Sequence, residues 1–231
     1  MSLRRGVTVP DLAGQRLVVT AGGTREPIDP VRYLGNRSSG KMGNALAIAA
    51  RAGGASVLLI TTVEPPVETG LEVAPVETAT QMHHAVVAAM QSADALIMAA
   101  AVADYRPRDV ATRKLKKSER RLVLELVPTL DILSELRSHP RHGEVLIVGF
   151  AAETDDLEAN AKRKLEGKGL DLIVLNDVAA AGIGMGTDDN AVTILDRSGV
   201  VAQVPRAPKS EVAHRILDVV AARLSGLRGA D

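Results

Sequence analysis

The 231-residue chain has no cysteine and only three aromatic residues, Tyr33, Tyr105 and Phe150. The first absence excludes a disulfide framework, a thiolate nucleophile and a sulfur-ligated metal, and it fits a reducing, cytoplasmic setting. The second removes the row of exposed rings on which single-stranded nucleic acid stacks. An excess of either charge is missing too: 28 basic residues balance 28 acidic ones. No global field therefore holds a polyanion such as duplex DNA, and any basic site must be local. The longest apolar run, residues 95–103, is about half of what a bilayer crossing needs, and residues 1–9 lack a signal-peptide core. Neither nucleic acid nor membrane is expected as a partner.

What is present has the balance of a globular domain, with 46% hydrophobic and 24% charged residues. Short β-branched runs alternate with Gly-rich or polar turns and Ala-rich helical stretches, a rhythm that implies a parallel sheet. Residues 16–20 (RLVVT), 56–61 (SVLLIT), 94–100 (DALIMAA), 145–151 (VLIVGFA) and 170–175 (LDLIVL) read as strands covered on both faces. Helices are predicted at 41–51, 80–91, 131–137, 155–166 and 210–224. Residues 191–204 carry two alternating stretches around Arg197-Ser198-Gly199, a hairpin at a sheet edge. The expected fold is α/β: a three-layer, Rossmann-like open parallel sheet with helices on both faces and a short antiparallel hairpin or edge extension. Residues 1–15 are expected to be a linker and 16–231 one domain.

The first strand runs into Gly22-Gly23-Thr24, and Ser38-Ser39-Gly40-Lys41-Met42-Gly43 then opens a helix. Glycines and a helix N-terminus offer backbone N–H groups to an anion, which suits a phosphorylated ligand. The spacing matches neither G-x-G-x-x-G nor a P-loop, so a tight turn and a packed helix account for it equally well. Between the two clusters lie Arg32, able to fork onto a carboxylate or phosphate, and Asn36, able to steady an oxyanion. Asp104 follows a long apolar run at a strand end, where open α/β sheets place their sites, and is a candidate partner for Mg²⁺ or for a hydroxyl or amino group of a ligand. Residues 104–121 then carry eight basic residues against three acidic, including Lys114, Lys116 and Lys117, and read as a surface loop able to bring ammonium groups over a triphosphate. Gly182 to Asn190 reads as a flexible loop, since no helix signal follows its glycines.

Residues 21–32 (AGGTREPIDPVR) and 36–43 (NRSSGKMG) resemble phosphopantothenate–cysteine ligase, an enzyme family of coenzyme A synthesis. Residues 99–105 (AAAVADY), 114–117 (KLKK), 128–133 (PTLDIL), 148–154 (VGFAAET) and 176–177 (ND) resemble it in the same order. The resemblance implies CTP as co-substrate, Mg²⁺ or Mn²⁺, 4'-phosphopantothenate and L-cysteine, a homodimer, and a fused or associated flavin-dependent decarboxylase. It implies Asn36 and Lys114 as catalytic residues, with Lys114 on a flap near 105–121. It implies Ala99, Ala100, Asp104, Lys114, Pro128, Thr129, Leu130, Asp131, Phe150, Lys164 and Lys168 around the nucleotide, with Asp104 on the metal. Gly22, Gly23, Thr24, Arg32, Asn36, Ser38, Ser39 and Ala101 are the expected substrate contacts, and residues 191–204 a possible dimer seam. Two rivals remain at this level: a Rossmann-type oxidoreductase, which lacks the Tyr-x-x-x-Lys pair because Arg37 and Asp109 stand four after the two tyrosines, and a non-catalytic nucleotide-binding module.

Overall fold

A computed structural model describes residues 9–67, 70–117, 121–153, 157–177 and 186–228. The five apolar runs form adjacent parallel strands: β1 (Arg16–Ala21), β4 (Ser56–Thr61), β6 (Ala95–Met98), β9 (Leu146–Glu153) and β10 (Leu172–Asp177). Three further strands complete an eight-stranded sheet, β5 (Glu72–Pro75) at one edge and the antiparallel hairpin β11 (Asp189–Asp196) and β12 (Gly199–Pro208) at the other. The order is β12-β11-β10-β9-β6-β1-β4-β5. Two small ribbons sit outside it, β2 (Arg25–Pro27) with β3 (Tyr33–Gly35), and β7 (Tyr105–Pro107) with β8 (Leu126–Pro128).

Alternation along each strand sends side chains to two cores. Leu17, Val19 and Ala21 of β1 face α1 (Lys41–Ala52) and α5 (Lys209–Arg228), where Leu46, Ile216 and Val220 are fully or almost fully buried. Val18 faces the other layer, made by α2 (Ala79–Ala89), α3 (Ile132–Leu136) and α4 (Leu157–Lys168). Leu12, within the expected linker, is buried in the first core and donates its N–H to the Gly53 carbonyl, so the folded unit reaches back at least that far. The predicted 191–204 hairpin is present and longer at both ends, with a turn between Asp196 and Gly199. Of the Gly182–Asn190 run, residues 182–185 lie outside the described residues. Among the described residues no helix is long and apolar enough to cross a membrane.

From β1 the chain passes to β4 and β5 on one side, then returns to β6 and continues through β9 and β10 on the other. Helix α1 covers one face and α2 the other, so the winding reverses between β1 and β6 and the connections that leave them turn to opposite faces. Close packing of α1 against β1 depends on Gly43, where an added Cβ would lie 2.6 Å from the Ala21 Cβ and 2.7 Å from the Thr20 carbonyl. Gly167, in α4, has open space around it. In urea unfolding, Gly43→Ala should lose about 1–3 kcal/mol through overpacking, whereas Gly167→Ala should gain about 0.5–1 kcal/mol through reduced chain entropy. Equal effects would contradict this account of the α1–β1 contact.

Candidate active site

A cavity of about 430 Å³ opens at the carboxyl ends of the central strands, over the reversal between β1 and β6. Ala99, Ala100 and Ala101 line it after β6, and their small side chains leave the volume open. Half-buried Phe150 comes from β9, and Asn36, Ser38 and Ser39 come from the approach to α1. Thr129, Leu130 and Asp131 lead into α3, Lys164 and Lys168 project from α4, and Asp104 completes the predicted set found here.

Local chemistry fixes several of these groups. Asp131 caps α3, accepting from the Ser134 amide at 3.3 Å and hydroxyl at 2.8 Å, and its carboxylate stands 3.4 Å from the Lys168 ammonium. Burial pushes the Asp131 carboxyl up, but the Ser134 bonds and the Lys168 charge more than offset this and leave it below the usual range. Asn36 donates from Nδ2 to the Ala101 carbonyl at 3.3 Å and the Val102 carbonyl at 3.2 Å. The reverse orientation of the amide would set oxygen against oxygen, so the Asn36 nitrogen is anchored and its Oδ1 remains as acceptor.

Six expected contacts fall outside the described lining of this cavity. Gly22 has φ +87° and would clash with Thr62 if it carried a Cβ, while Gly23 lies too close to the Asn36 carbonyl for one. The chain bends at Gly22, and Gly23 pairs with Ala101 in an isolated parallel bridge. Thr24 is fully buried and accepts from the Ala103 amide at 2.9 Å, which orders the segment after β6. Pro128 ends β8 opposite Tyr105. Arg32 pairs with buried Asp29 and donates to the Leu115 carbonyl at 2.8 Å, so its fork serves the protein itself. Lys114 is exposed on the excursion between β7 and β8, where Leu115 donates its amide to Asp29 at 3.1 Å and Ala111 donates to Ile28 at 3.0 Å. These contacts fasten the lysine-bearing segment to the β2–β3 turn. Residues 118–120 of the expected flap lie outside the described residues.

Among the lining residues outside the expected set are four with polar side chains: Lys41, Asn176, Asn190 and Lys209. Lys41 belongs to the family-like segment 36–43 that opens a helix, and Asn176 to the family-like pair 176–177. Asn190 is buried and donates to the Asn176 Oδ1 at 2.9 Å. Lys209 stands in no motif, and its burial arises only when the hairpin folds over the start of α5. Among the described residues no three His, Asp or Glu side chains converge as a metal cage. Asp104 is exposed and its side chain makes no hydrogen bond to a described residue, which suits a Mg²⁺ held by one carboxylate together with phosphate oxygens and water.

Residues 12–224 match the family described as the DNA/pantothenate metabolism flavoprotein C-terminal domain. The chain belongs to this family. It is 46% identical over 219 residues to the coenzyme A biosynthesis bifunctional protein CoaBC of Bacillus subtilis, covering 93% of this chain and 53% of that protein. It is 42% identical over 217 residues to a cysteine/cysteine sulfinic acid decarboxylase from an unknown prokaryotic organism, covering 93% of this chain and 60% of that protein. The chain thus spans little more than half the length of these relatives. A crystal structure of the C-terminal domain of a CoaBC superposes with a TM-score of 0.78 at 39% identity, covering 94% of this chain and 99% of that one. A Cab2 H337A mutant in complex with phosphopantothenate-cysteine shares the fold, with a TM-score of 0.73, 17% identity, and coverage of 92% and 88%.

In this member of the flavoprotein C-terminal domain family, the Arg32 guanidinium holds the Asp29 carboxyl far below the usual range, against the effect of burial and with help from the Val31, Leu115 and Arg32 amides. The resulting stabilisation is fully present above the unfolded pKa of about 3.9 and fades as pH falls toward the lower folded value. Asp29→Asn should therefore be less stable than wild type at pH 7 in urea unfolding, with the gap constant down to about pH 5 and narrowing below about pH 4. A gap that stays the same at acid pH would contradict the ion pair's role.

Proposed function

We propose that this domain joins 4'-phosphopantothenate to L-cysteine with CTP, giving phosphopantothenoylcysteine, CMP and pyrophosphate. The observation that carries this reading is the meeting of Asn36, Asp104, Lys164 and Lys168 in one cavity at the point of strand reversal. Kinship with the bifunctional CoaBC proteins and the phosphopantothenate-cysteine held by the Cab2 mutant point to the same chemistry. A fused or associated flavin decarboxylase belongs to the same proposal.

In the first step a substrate carboxylate oxygen bonds to the α-phosphorus of CTP, and the bond from that phosphorus to the β-phosphate oxygen breaks. Pyrophosphate leaves with the electron pair, and an acyl-cytidylate remains. In the second step the cysteine amine attacks the acyl carbon, loses a proton, and CMP departs. Bringing one anion against another demands fixed positive charge, which Lys164 and Lys168 provide from within the cavity. A bound Mg²⁺ would add charge neutralisation of the phosphates, with Asp104 as its protein ligand. Asn36 joins the loop before α1 to the segment after β6, and its Oδ1 can accept from the incoming amine. Lys114, fastened with its segment to the β2–β3 turn, acts when a second copy presents it to the cavity. Edge strand β12, with Val200 and Val201 exposed, offers the 191–204 hairpin to such a homodimer.

The test is pyrophosphate release with CTP or ATP, with and without cysteine. CTP with 4'-phosphopantothenate alone should release pyrophosphate, and cysteine should convert this to continuous turnover with CMP. No CTP-dependent release would overturn the proposal. Lys114→Gln should slow the first half-reaction by about a hundredfold with the melting temperature unchanged, because the residue is exposed. Asn36→Asp should impair consumption of the acyl-cytidylate more than its formation, and equal loss in both steps would remove Asn36 from the second.

A further inference from the structure

Two lysines line the cavity on the face opposite Lys164 and Lys168. Lys41 opens α1 and Lys209 opens α5, the helices of the first core, whereas Lys164 and Lys168 belong to α4 in the second. Lys209 is only 8% exposed, and its ammonium donates to the Thr187 carbonyl. Its backbone N–H donates to the Asp188 carbonyl at 2.9 Å, so the segment before β11 wraps around the lysine. Lys41 reaches the same segment, donating to the Gly186 carbonyl at 3.1 Å and to Asp188 Oδ1 at 2.6 Å.

The two ammonium groups feel each other. Burial, and then the charge of Lys41, lower the Lys209 pKa below the ordinary lysine value, while Asp188 and Asp189 pull it back up. Asp189 is itself engaged by the Arg206 guanidinium at 3.0 Å. The Lys41–Asp188 pair is open to solvent, with side chains 46% and 87% exposed, and such a pair exchanges readily for a better anion. A multivalent anion between the lysines would relieve their repulsion, and burial makes the Lys209 contribution stronger than a surface lysine's.

We propose that Lys41 and Lys209 form the subsite for the diphosphate that leaves CTP, and that Asp188 is a built-in competitor which releases Lys41 when that diphosphate arrives. This rests on the ligase reading above. Lys164 and Lys168 then serve the nucleotide from the α4 side, and the bond that breaks lies between the two lysine pairs. The departing pyrophosphate, carrying the electron pair of the broken bond, stays on Lys41 and Lys209 until Asp188 takes Lys41 back.

Calorimetric titration of the whole chain with inorganic pyrophosphate, and separately with CMP, tests the subsite. Lys209→Gln and Lys41→Gln should each weaken pyrophosphate by about tenfold or more, the loss of one charge-assisted contact, and leave CMP affinity unchanged. Asp188→Asn should tighten pyrophosphate several-fold, a gain that a merely structural role cannot produce and that does not depend on the Lys209 variant folding. Wild-type pyrophosphate affinity in Lys41→Gln, or weakened affinity in Asp188→Asn, overturns the subsite. Equal weakening of pyrophosphate and CMP in the lysine variants also overturns it. The expected pattern in a chain that fails to turn over CTP would overturn the ligase reading alone, and turnover with unaltered pyrophosphate affinity in the variants would overturn the subsite alone.

Discussion

The connections that leave β1 and β6 turn to opposite faces of the sheet while the segments themselves stay bonded to each other beyond both strands, and the rest of the site depends on how that is achieved. Buried hydroxyls do it. Thr20 accepts from the Ala100 amide at 3.0 Å, Thr24 accepts from the Ala103 amide, and the Ala101 amide donates to the Gly22 carbonyl at 2.8 Å. The segment after β6 is therefore held rigidly with alanines toward the cavity, and its 100, 101 and 103 amides are committed to the protein. The polar side chains that line the cavity, Asn36, the two lysine pairs and the carboxylate of Asp104, are what the proposed reading leaves for ligand recognition. A buried amide left without a partner here would cost as much as a lost hydrogen bond, so replacing either threonine by valine disturbs the site before any ligand contact is considered.

Charge is distributed about this frame with a sense of direction. The helices that cover the two faces of the sheet bring lysines to one cavity from opposite sides, so a nucleotide bound as proposed across the strand tips would meet cations at both ends. Each pair is partly balanced by a local acid, Lys168 by Asp131 and Lys41 by Asp188. That arrangement keeps the empty site from concentrating unopposed positive charge, and it leaves anion binding a matter of exchanging partners. A near-neutral chain can thus hold a highly charged ligand, which composition alone would not suggest.

The sheet and its five helices were legible because fully covered strands are apolar without interruption and the helices between them are Ala-rich. The short edge strand β5 was not, since it has four residues, three of them exposed, and carries no periodicity. Residues standing at strand ends and helix caps, such as Ala99, Asp104 and Asp131, were found from position and resemblance together. Gly22, Gly23 and Thr24 show the limit of a motif: the same residues fit an anion cradle or a tight turn, and the structure adds that close approach to Thr62 and Asn36 leaves no room for a Cβ at either glycine. Sequence shows Arg32 as a free fork, and the structure adds the buried carboxylate three residues away with which it pairs. Lys209 was invisible, as its burial requires a strand twenty residues earlier to fold across it.

The central claim is that a nucleotide occupies the strand reversal between β1 and β6. Amide hydrogen exchange read peptide by peptide, with and without CTP, tests it most directly. Slower exchange confined to peptides covering 36–43, 99–104 and 186–190 is the predicted result. Protection by CTP at the β4–β5 edge or along the outer face of α2, with those three segments unchanged, would contradict it.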